Sequence, residues 1–469
     1  MWGAEKKEKD MKIKKLLISS AVIASCVGLT ACGGGKKNTI TIAVGDESAV
    51  FYQELLSKYV EEHPEFGYKV EVIGADTGTA AQTIINDPEA AADIFTVAHD
   101  NIGKLVEANC ALPLVDTSLT GQILADNPDA FKGVIYATGV GMSEPSIFAA
   151  PYISQALVLM YNKAKVTEEQ SKTFEGLKEA AVANNSKSLA ITGTDGFNFS
   201  FTVLARKAAD NSTSVKLYEN TDKNACYFQG DDVVATVQWA QDFFADPNGG
   251  HWPTDAGWIS DAQANKIVAC IGGAWQFADW EGAVGSTNAG YTVLPTYTVN
   301  AEQVAGTSVA AGTKFQAGSF VDCKCLMINA YSDEAKYDAC QELIKYMTSK
   351  EVQNESFKQA NNLPAYTGAT EYIKTIKNDL SRNQYEGAMA QAGMNEYGIA
   401  QPFLSSTLNT YYYSKKAPEL YVSILNNTEN AFSTTAEIRK GLYRIEYIWQ
   451  KGKEVAAADI PATLPSDVK

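Results

Sequence analysis

Two kinds of hydrophobic spacing alternate along the chain after residue 38. Thr39–Val44, Lys69–Ile73 and Asp93–Val97 are short runs of the kind that form buried strands. Each precedes a segment whose apolar residues recur every three or four positions, as they do along one face of a helix. The first of these segments begins at Ser48, which we expect to cap it. Strands and helices in this order predict a mainly parallel sheet with helices on both faces.

Polar loops follow each of these three strands. The carboxyl ends of parallel strands meet at one edge of a sheet, where open α/β folds bind ligands. Asp46, Glu47 and Asp100 lie in such loops and are candidate ligand-binding residues. Asp100 also has the position and chemistry of an N-cap for the helix that follows it, and the pattern alone leaves both roles open.

The rest of the chain continues the mixed pattern. Residues 115–150 and 297–320 are predicted to be irregular or loop segments. The predicted strands are Val158–Asn162, Leu189–Ile191, Ile267–Ile271 and Phe320–Asn329. The predicted helices are Phe174–Asn184, one that begins near Gly196, Asp231–Phe244, Asp333–Thr348, Lys350–Asn361 and Thr434–Lys451. The chain is therefore expected to contain more than one α/β unit.

A tryptophan stands where one of the predicted strands turns into a helix. Trp275 follows Ile267–Ile271 and the pair Gly272 and Gly273, which permits a tight turn. The turn would place Trp275 at the head of the helix that follows, at the carboxyl end of the strand.

Two aromatic clusters are candidates to face a ligand cleft. Phe199 and Phe201 are two positions apart near the start of a predicted helix, so they point in different directions. We expect one of them to face a cleft, with a packing cluster as the alternative. Tyr411, Tyr412 and Tyr413 cover about 300° of a helix surface. At least one of these rings should face the ligand if a helix begins there, and the sequence does not say which.

Length and charge narrow the classes of function. The chain has 469 residues, more than one ordinary hydrophobic core accommodates, which predicts two domains. Its net charge is −16, and its first 31 residues hold six lysines and three acidic residues, so the remainder is more acidic still. Such a surface repels nucleic acid and anionic lipid and suits a neutral ligand.

Six of the eight cysteines show no recognisable motif. Apart from Cys26 and Cys32 near the N-terminus, they are Cys110, Cys226, Cys270, Cys323, Cys325 and Cys340. Their spacings match neither a compact disulfide framework nor a zinc site, and Cys323 and Cys325 would be strained as an intrastrand disulfide. We expect buried, mostly reduced thiols, and no metal or other cofactor.

The N-terminus has the features of an export signal. Basic residues precede the apolar stretch Leu16–Val27, which is shorter than the about 20 residues that a transmembrane helix needs. The segment Leu29–Cys32 then resembles a bacterial lipobox. We expect residues 1–31 to be a signal peptide, Cys32 to carry the lipid, and residues 32–38 to form a flexible tether.

Several segments, in order, carry a family resemblance. Ala92–Asp100, which reads ADIFTVAHD, resembles the maltodextrin-binding proteins of bacterial ABC importers. Ala150–Asn162, Tyr291–Thr296 and Leu363–Ala365 are similar to further segments of that family, the first and last of them to its crossovers between lobes. The resemblance implies an α/β, two-lobed fold of the periplasmic-binding-protein type (type II), in which each lobe is a mainly parallel sheet flanked by helices and three crossings join the lobes.

The resemblance also implies the domain limits and the site. Lobe 1 would comprise residues 39–152 and 323–367, and lobe 2 residues 153–322 and 368–460. The implied ligand-binding residues are Asp46, Glu47, Asp100, Gln155, Phe199, Trp275, Tyr411 and Tyr412. Two positions depart from the family pattern. Val97 replaces a tryptophan, which removes one stacking surface or moves it elsewhere. Gln155 replaces a glutamate, although an amide still donates and accepts hydrogen bonds.

The expected function is capture of maltose or malto-oligosaccharides between two lobes that close about a hinge, followed by delivery to the transmembrane subunits of an ABC permease. The protein would be a monomer without enzymatic activity, held by its lipid alone on the extracellular face of the cytoplasmic membrane, as a Gram-positive lipoprotein is. Alternatives are another oligosaccharide in the same fold, a surface glycoside hydrolase with two suitably spaced carboxylates, and a ferric-iron-binding protein that uses Tyr411 and Tyr412.

Overall fold

Two long strands run side by side through the centre of a mixed sheet. They are Ala150–Asn162 and Ser319–Asn329, paired antiparallel, in a sheet of eleven strands. The computed structural model describes residues 38–192, 195–210, 212, 216–217, 226–252, 257–375, 398–400 and 416–465. The predicted signal peptide and Cys32 lie outside these ranges.

The strands are β1 (Thr39–Gly45), β2 (Lys69–Ala75), β3 (Ile94–Ala98), β4 (Ala111–Leu112), β5 (Tyr136–Ala137), β6 (Ser146–Ile147), β7 (Ala150–Asn162), β8 (Leu189–Ile191), β9 (Arg206–Lys207), β10 (Lys216–Leu217), β11 (Cys226–Tyr227), β12 (Gly250–His251), β13 (Ala269–Gly273), β14 (Ala289–Thr292), β15 (Thr296–Thr298), β16 (Lys314–Gln316), β17 (Ser319–Asn329) and β18 (Gly398–Ala400).

The α-helices are α1 (Ala49–Glu62), α2 (Ala80–Asn86), α3 (Ile102–Glu107), α4 (Thr117–Asp126), α5 (Asp129–Val134), α6 (Phe174–Ala183), α7 (Asp231–Ala245), α8 (Gly257–Gln263), α9 (Phe277–Val284), α10 (Tyr337–Met347), α11 (Lys350–Ala360), α12 (Ala369–Ile373), α13 (Lys416–Leu425) and α14 (Thr435–Lys451). None of the helices in the described ranges has the length and apolarity needed to cross a membrane.

The sheet is continuous from one half of the molecule to the other. Its strand order is β12-β8-β13-β7-β17-β3-β1-β2, with β4, β14 and β18 paired beside the central strands. The outer pairs β1–β3, β8–β13 and β8–β12 are parallel, as predicted, whereas β7 and β17 are antiparallel to their neighbours β13 and β3. The continuity arises because β7 has 13 residues and spans about 40 Å, enough to take part in both halves.

The two large hydrophobic cores of the described residues lie on either side of these central strands. Strand β7 contributes Tyr152 to the core of the first half and Leu159 to that of the second. Strand β17 passes between the cores in the opposite direction, with Phe320 in the second and Val321 in the first. The α/β, two-core architecture confirms the predicted fold class, and Ile40–Lys469 forms one compact unit. The ranges assigned to the two lobes stay a prediction.

A third segment of the chain lies beside the central strand β7. The backbone N–H of Ser154 donates a hydrogen bond of 2.8 Å to the carbonyl of Leu363, and Ile153 forms an antiparallel bridge with Pro364. The segment around Leu363–Ala365 therefore lies beside β7, where the sequence predicts a third crossing.

Most of the long helices were predicted to within two residues, and the differences have local causes. Residues 115–150 contain α4 and α5; the carboxylate of Asp116 accepts the N–H of Leu119 and caps α4. Within 297–320, β16 pairs with β15 instead of forming a loop. Ser48 stands at the N-cap of α1 without a capping bond, and its hydroxyl instead accepts a hydrogen bond of 2.9 Å from the amide of Asn362.

The cysteine side chains that the structure describes are buried and unpaired: Cys110, Cys270, Cys323, Cys325 and Cys340. The two sulfur atoms of Cys323 and Cys325 are 3.6 Å apart, on the core face of β17. Burial raises the pKa of the Cys340 thiol to about 12. The Cys340 thiol is therefore protonated and unreactive at neutral pH. The side chain of Cys226 lies outside the described part.

Candidate ligand-binding cleft

An open cleft of about 900 Å³ lies at the carboxyl ends of the strands of the first half. Polar turns that follow β1, β2 and β3 form one wall, segments that follow β8 and β13 form the other, and the central strands form the floor. This is the edge of the sheet at which the sequence predicts a ligand site.

The turn after β1 brings two carboxylates to this wall. Asp46 and Glu47 belong to a short 3₁₀ turn directly after the strand. A Cβ on Gly74 would lie 2.3 Å from Oδ1 of Asp46. The turn can therefore pack against β2 because position 74 has no side chain.

Asp100 lies in the wall of the cleft. It belongs to a 3₁₀ turn over His99–Asn101, and α3 starts at Ile102 with Asn101 at its N-cap and no capping side chain. Asp100 is 8% exposed, and the amide of Asn101 donates to its Oδ1 at 2.7 Å. The helix that follows has its N-cap at Asn101, and binding of a ligand by Asp100 stays a prediction.

The floor of the cleft comes from alternate residues of the central strands. Gln155 of β7 lies directly opposite Asp322 of β17. Because side chains alternate along a strand, Asp322 and Lys324 border the cleft, while the cysteines at 323 and 325 point into the core. The ammonium group of Lys324 donates to Oε1 of Glu47 at 3.0 Å.

Asp195 organises the turn that opposes these groups. Its carboxylate accepts the backbone N–H groups of Phe197 at 3.0 Å and Asn198 at 2.8 Å, and the side-chain amide of Asn198 at 3.0 Å. Burial raises the pKa of Asp195, and these hydrogen bonds oppose the rise. The turn holds the ring of Phe197 and the amide of Asn198 at the cleft.

This turn changes the expected aromatic contact. The predicted helix at Gly196 is a 3₁₀ turn over Asn198–Phe201. Phe201 is fully buried in the second core, because the tighter turn directs it inward, so it is not the ring that faces the cleft. The side chain of Phe199 lies outside what the structure describes. Phe197 lines the cleft instead, and the sequence signal that could have found it is the Asp195–Asn198 turn.

Trp275 is the large exposed aromatic of the second wall. It is 43% exposed, and its ring centroid lies 6.1 Å from that of Phe197, with 48° between the ring planes. A Cβ on Gly273 would lie 2.1 Å from the indole, so the absence of a side chain lets the ring fold back over the strand end. The Oε1 atom of Gln276 accepts the N–H of Gly273 at 3.0 Å and the hydroxyl of Thr192 at 2.8 Å, which fixes the turn.

The cleft is rich in carboxylates. Its lining includes six acidic residues and two lysines: Asp46, Glu47, Asp76, Asp100, Asp195, Asp322, Lys104 and Lys324. Burial lowers the pKa of Lys104, and the nearby charge of Asp100 opposes that effect. Carboxylates accept hydrogen bonds from hydroxyl groups and repel anions, so this lining suits a neutral ligand with many hydroxyls. In the part of the chain that the structure describes, no cluster of three His, Cys, Asp or Glu residues could hold a metal ion.

Five of the eight predicted ligand residues line this one cleft: Asp46, Glu47, Asp100, Gln155 and Trp275. Tyr411 and Tyr412 lie outside the described residues, as does the side chain of Phe199. Val97 is fully buried in the first core, so it lends no surface to the cleft. The lining residues that sequence reasoning missed include Asn101, Lys104, Thr192, Asp195, Phe197, Asn198, Gln276, Asp322 and Lys324.

Comparison with known proteins gives the family. The family model for bacterial extracellular solute-binding proteins matches residues 54–383. Two relatives, from Streptococcus pneumoniae strains R6 and TIGR4, are named maltooligosaccharide ABC transporter solute-binding lipoprotein. Each is 24% identical over 385 residues, which cover 78% of this chain and 82% of the relative.

Solved structures share the fold. The maltodextrin-binding protein MalE1 from L. casei BL23, without ligand, superimposes with a TM-score of 0.70 at 19% identity, covering 88% of this chain and 99% of that one. MalX from Streptococcus pneumoniae, in complex with maltopentaose, gives a TM-score of 0.63 at 17% identity, covering 86% and 99%. With the family match over most of its length and a two-lobed binding-protein fold, the chain belongs to the bacterial extracellular solute-binding proteins.

Proposed function

We propose that this protein is the substrate-binding component of an ABC importer and that it captures malto-oligosaccharides in the cleft described above. The observation that carries the proposal is the cleft itself, where Trp275 stands opposite Asp46, Glu47 and Asp100. An exposed ring to cover sugar faces and fixed acceptors for hydroxyls are the two features that carbohydrate recognition requires. The names of the two streptococcal relatives support the choice of glucan.

The mechanism is closure of the two walls around the ligand. Trp275 and the Asp195 turn belong to the second half, whereas Asp46 and Asp100 belong to the first, so a sugar in the cleft contacts both. A ligand that contacts both halves binds the closed state more tightly than the open one and shifts the equilibrium toward it. The paired strands β7 and β17, with the segment beside them, form the connection about which the halves would move.

The proposal includes delivery and location. The closed, loaded protein would present its sugar to the transmembrane subunits of a permease, and a lipid on Cys32 would keep it on the extracellular face of the cytoplasmic membrane. The protein would act as a monomer, and it would bind its sugar without hydrolysing it. Relatives named as transporter lipoproteins support this placement.

Isothermal titration calorimetry tests the substrate. The chain from Gly33 onward, without the leader, is titrated with maltose, maltotriose, longer malto-oligosaccharides, and non-glucans such as raffinose and cellotriose. We expect malto-oligosaccharides to bind at micromolar or lower concentration and the non-glucans to bind at least tenfold more weakly. Preference for a non-glucan would contradict the substrate and leave the family standing, and release of reducing ends during the titration would contradict the non-enzymatic role.

Expression of the full chain in a Gram-positive host tests the anchor. The protein should partition with membranes and carry a diacylglycerol on Cys32 by mass spectrometry. A Cys32→Ala variant should lose the lipid. An unmodified wild-type chain in the medium would show that the lipobox is not used.

A further inference from the structure

A smaller pocket opens off the ligand cleft. It measures about 100 Å³, roughly a ninth of the 900 Å³ of the cleft. Cleft and pocket share four lining residues, which are Glu47, Gln155, Trp275 and Lys324. We call it the end pocket, because residues 361–363 close its far side. These residues are held beside β7 by the hydrogen bond between Ser154 and Leu363.

The ammonium group of Lys324 stands at the junction of cleft and end pocket. Its side chain is 8% exposed, and its Nζ donates to Oε1 of Glu47 at 3.0 Å. Among the described residues, Glu47 is the one to which this nitrogen donates a hydrogen bond. An ammonium group has three N–H donors, and a buried charge is costly unless its donors are bonded. Two donors of Lys324 therefore remain for a molecule in the cleft or the pocket.

The surroundings select the chemistry of that molecule. Glu47 is about half exposed and neutralises the charge of Lys324, while Asp46 and Asp100 make the neighbouring cleft negative. An anionic group would be repelled by these carboxylates. Adjacent hydroxyl groups of a neutral sugar fit instead, because one can accept from Lys324 while the other donates to Glu47.

We propose that Lys324 determines specificity for one end of the bound oligosaccharide. Its ammonium group and the carboxylate of Glu47 bind adjacent hydroxyls of the terminal ring, and Trp275 covers the face of that ring. The end pocket is too small to hold a further sugar ring, so the oligosaccharide ends there. Its size also limits the substituents that the terminal ring can have. This inference rests on the proposed function, since it concerns the same site and ligand.

The test uses ligands altered at either end. The chain from Gly33 onward is titrated with maltotriose, with maltotriitol, whose reducing end is an open polyol, and with maltotriose that lacks the 4-hydroxyl at its non-reducing end. Wild type should bind maltotriose at least tenfold more tightly than one of the two altered ligands. Lys324→Met should weaken maltotriose about ten- to a hundredfold, as expected for loss of charged hydrogen bonds, and should abolish the discrimination.

A second lysine provides the matched control. Lys104 lines the cleft and does not border the end pocket, so Lys104→Met removes an equal charge away from the junction. The ratios between the dissociation constants of the three ligands should stay as in wild type, whatever the effect of this substitution on overall affinity. Lys324→Arg keeps the charge and changes its geometry, so it is expected to fold and to alter these ratios. It replaces Lys324→Met in the test if the methionine variant fails to fold.

The outcomes separate the two proposals. Wild type that binds no glucan would overturn the proposed function and this inference with it. Wild type that binds maltotriose, with a Lys324→Met variant that folds and keeps the same ratio between the three ligands, would overturn this inference alone. An equal loss of affinity for all three ligands would likewise show that Lys324 does not determine specificity for the end of the oligosaccharide.

Discussion

The indole of Trp275 lies over a backbone position that has no side chain. The ring that we propose as a ligand contact therefore depends on Gly273 for its position. Trp275 was predicted from a glycine pair before an aromatic residue, because that pattern is local. Lys324 and Asp322 could not be predicted in this way. Their relevance comes from the pairing of β17 with strands more than 150 residues away in sequence.

Removal of the ring is the first test at this scale. Trp275→Ala should weaken malto-oligosaccharide binding about ten- to a hundredfold, because burial of a large apolar side chain against a ligand contributes about 1.5–3 kcal/mol. Calorimetry measures the change. Tyr331→Ala is the matched control, since Tyr331 is 49% exposed and lies outside the cleft. Equal loss in both variants would show that the effect is not local.

Addition of a methyl group beneath the ring is the complementary test. Gly273→Ala places a Cβ where the indole now lies, so the ring must turn away and binding should fall about tenfold or more. Gly282→Ala, in α9, meets no atom within 4 Å and should leave affinity unchanged, with stability equal to or slightly above wild type. Unchanged affinity in Gly273→Ala would mean that the position of the ring over Gly273 is unimportant for binding.

At the scale of elements, the Asp195 turn makes the stability of the folded state depend on pH. Burial raises the pKa of Asp195 above its ordinary value in the unfolded chain, so the folded state binds the proton more tightly. Its contribution to stability is therefore greatest when the carboxyl is protonated, and it declines as the pH rises through the raised pKa.

Asp195→Asn should remove this dependence. The amide oxygen can still accept N–H bonds in the turn, but it does not titrate, so the urea midpoint should vary less between about pH 4 and 7 than in wild type. Chemical denaturation across that range measures it. Asp210→Asn is a control on an exposed carboxylate whose pKa is lowered instead, so it should not reproduce the effect. An identical pH profile in wild type and Asp195→Asn would refute the assignment.

The last long helix shows an element that sequence reasoning locates well. Thr434 accepts the N–H of Glu437, and the carboxylate of Glu437 accepts the N–H of Thr434, so α14 begins with a complete capping box. Thr434→Ala should reduce the free energy of unfolding by about 0.5–2 kcal/mol. Ligand affinity should not change, because α14 does not contribute to the cleft. A loss of affinity without a loss of stability would contradict this separation.

At the scale of the whole molecule, prediction was limited by the central strands. The βα units of the first half were predicted because each is encoded by neighbouring residues. The continuous sheet was not predicted, because it depends on pairing between β7 and β17, which are far apart in sequence. In this pairing Cys323 lies opposite Ser154 and Lys324 lies opposite Ile153. The cleft lies over these strands, so the turns after β1 and β3 and the position of Trp275 were predictable, whereas the Asp195 turn and much of the floor were not.

Closure is the prediction that belongs to the whole chain. Under the proposed closure, a sugar in the cleft contacts both halves, so saturating maltotriose should reduce the radius of gyration measured by small-angle X-ray scattering. It should also stabilise the fold by about 2.7 kcal/mol at a ligand concentration of 100 times Kd, measured by denaturation. Trp275→Ala at the same maltotriose concentration should show less of both effects, because fewer molecules are loaded. Tight binding by wild type with no change in radius would mean that the ligand enters a cleft that is already closed, and the hinge mechanism would then be wrong.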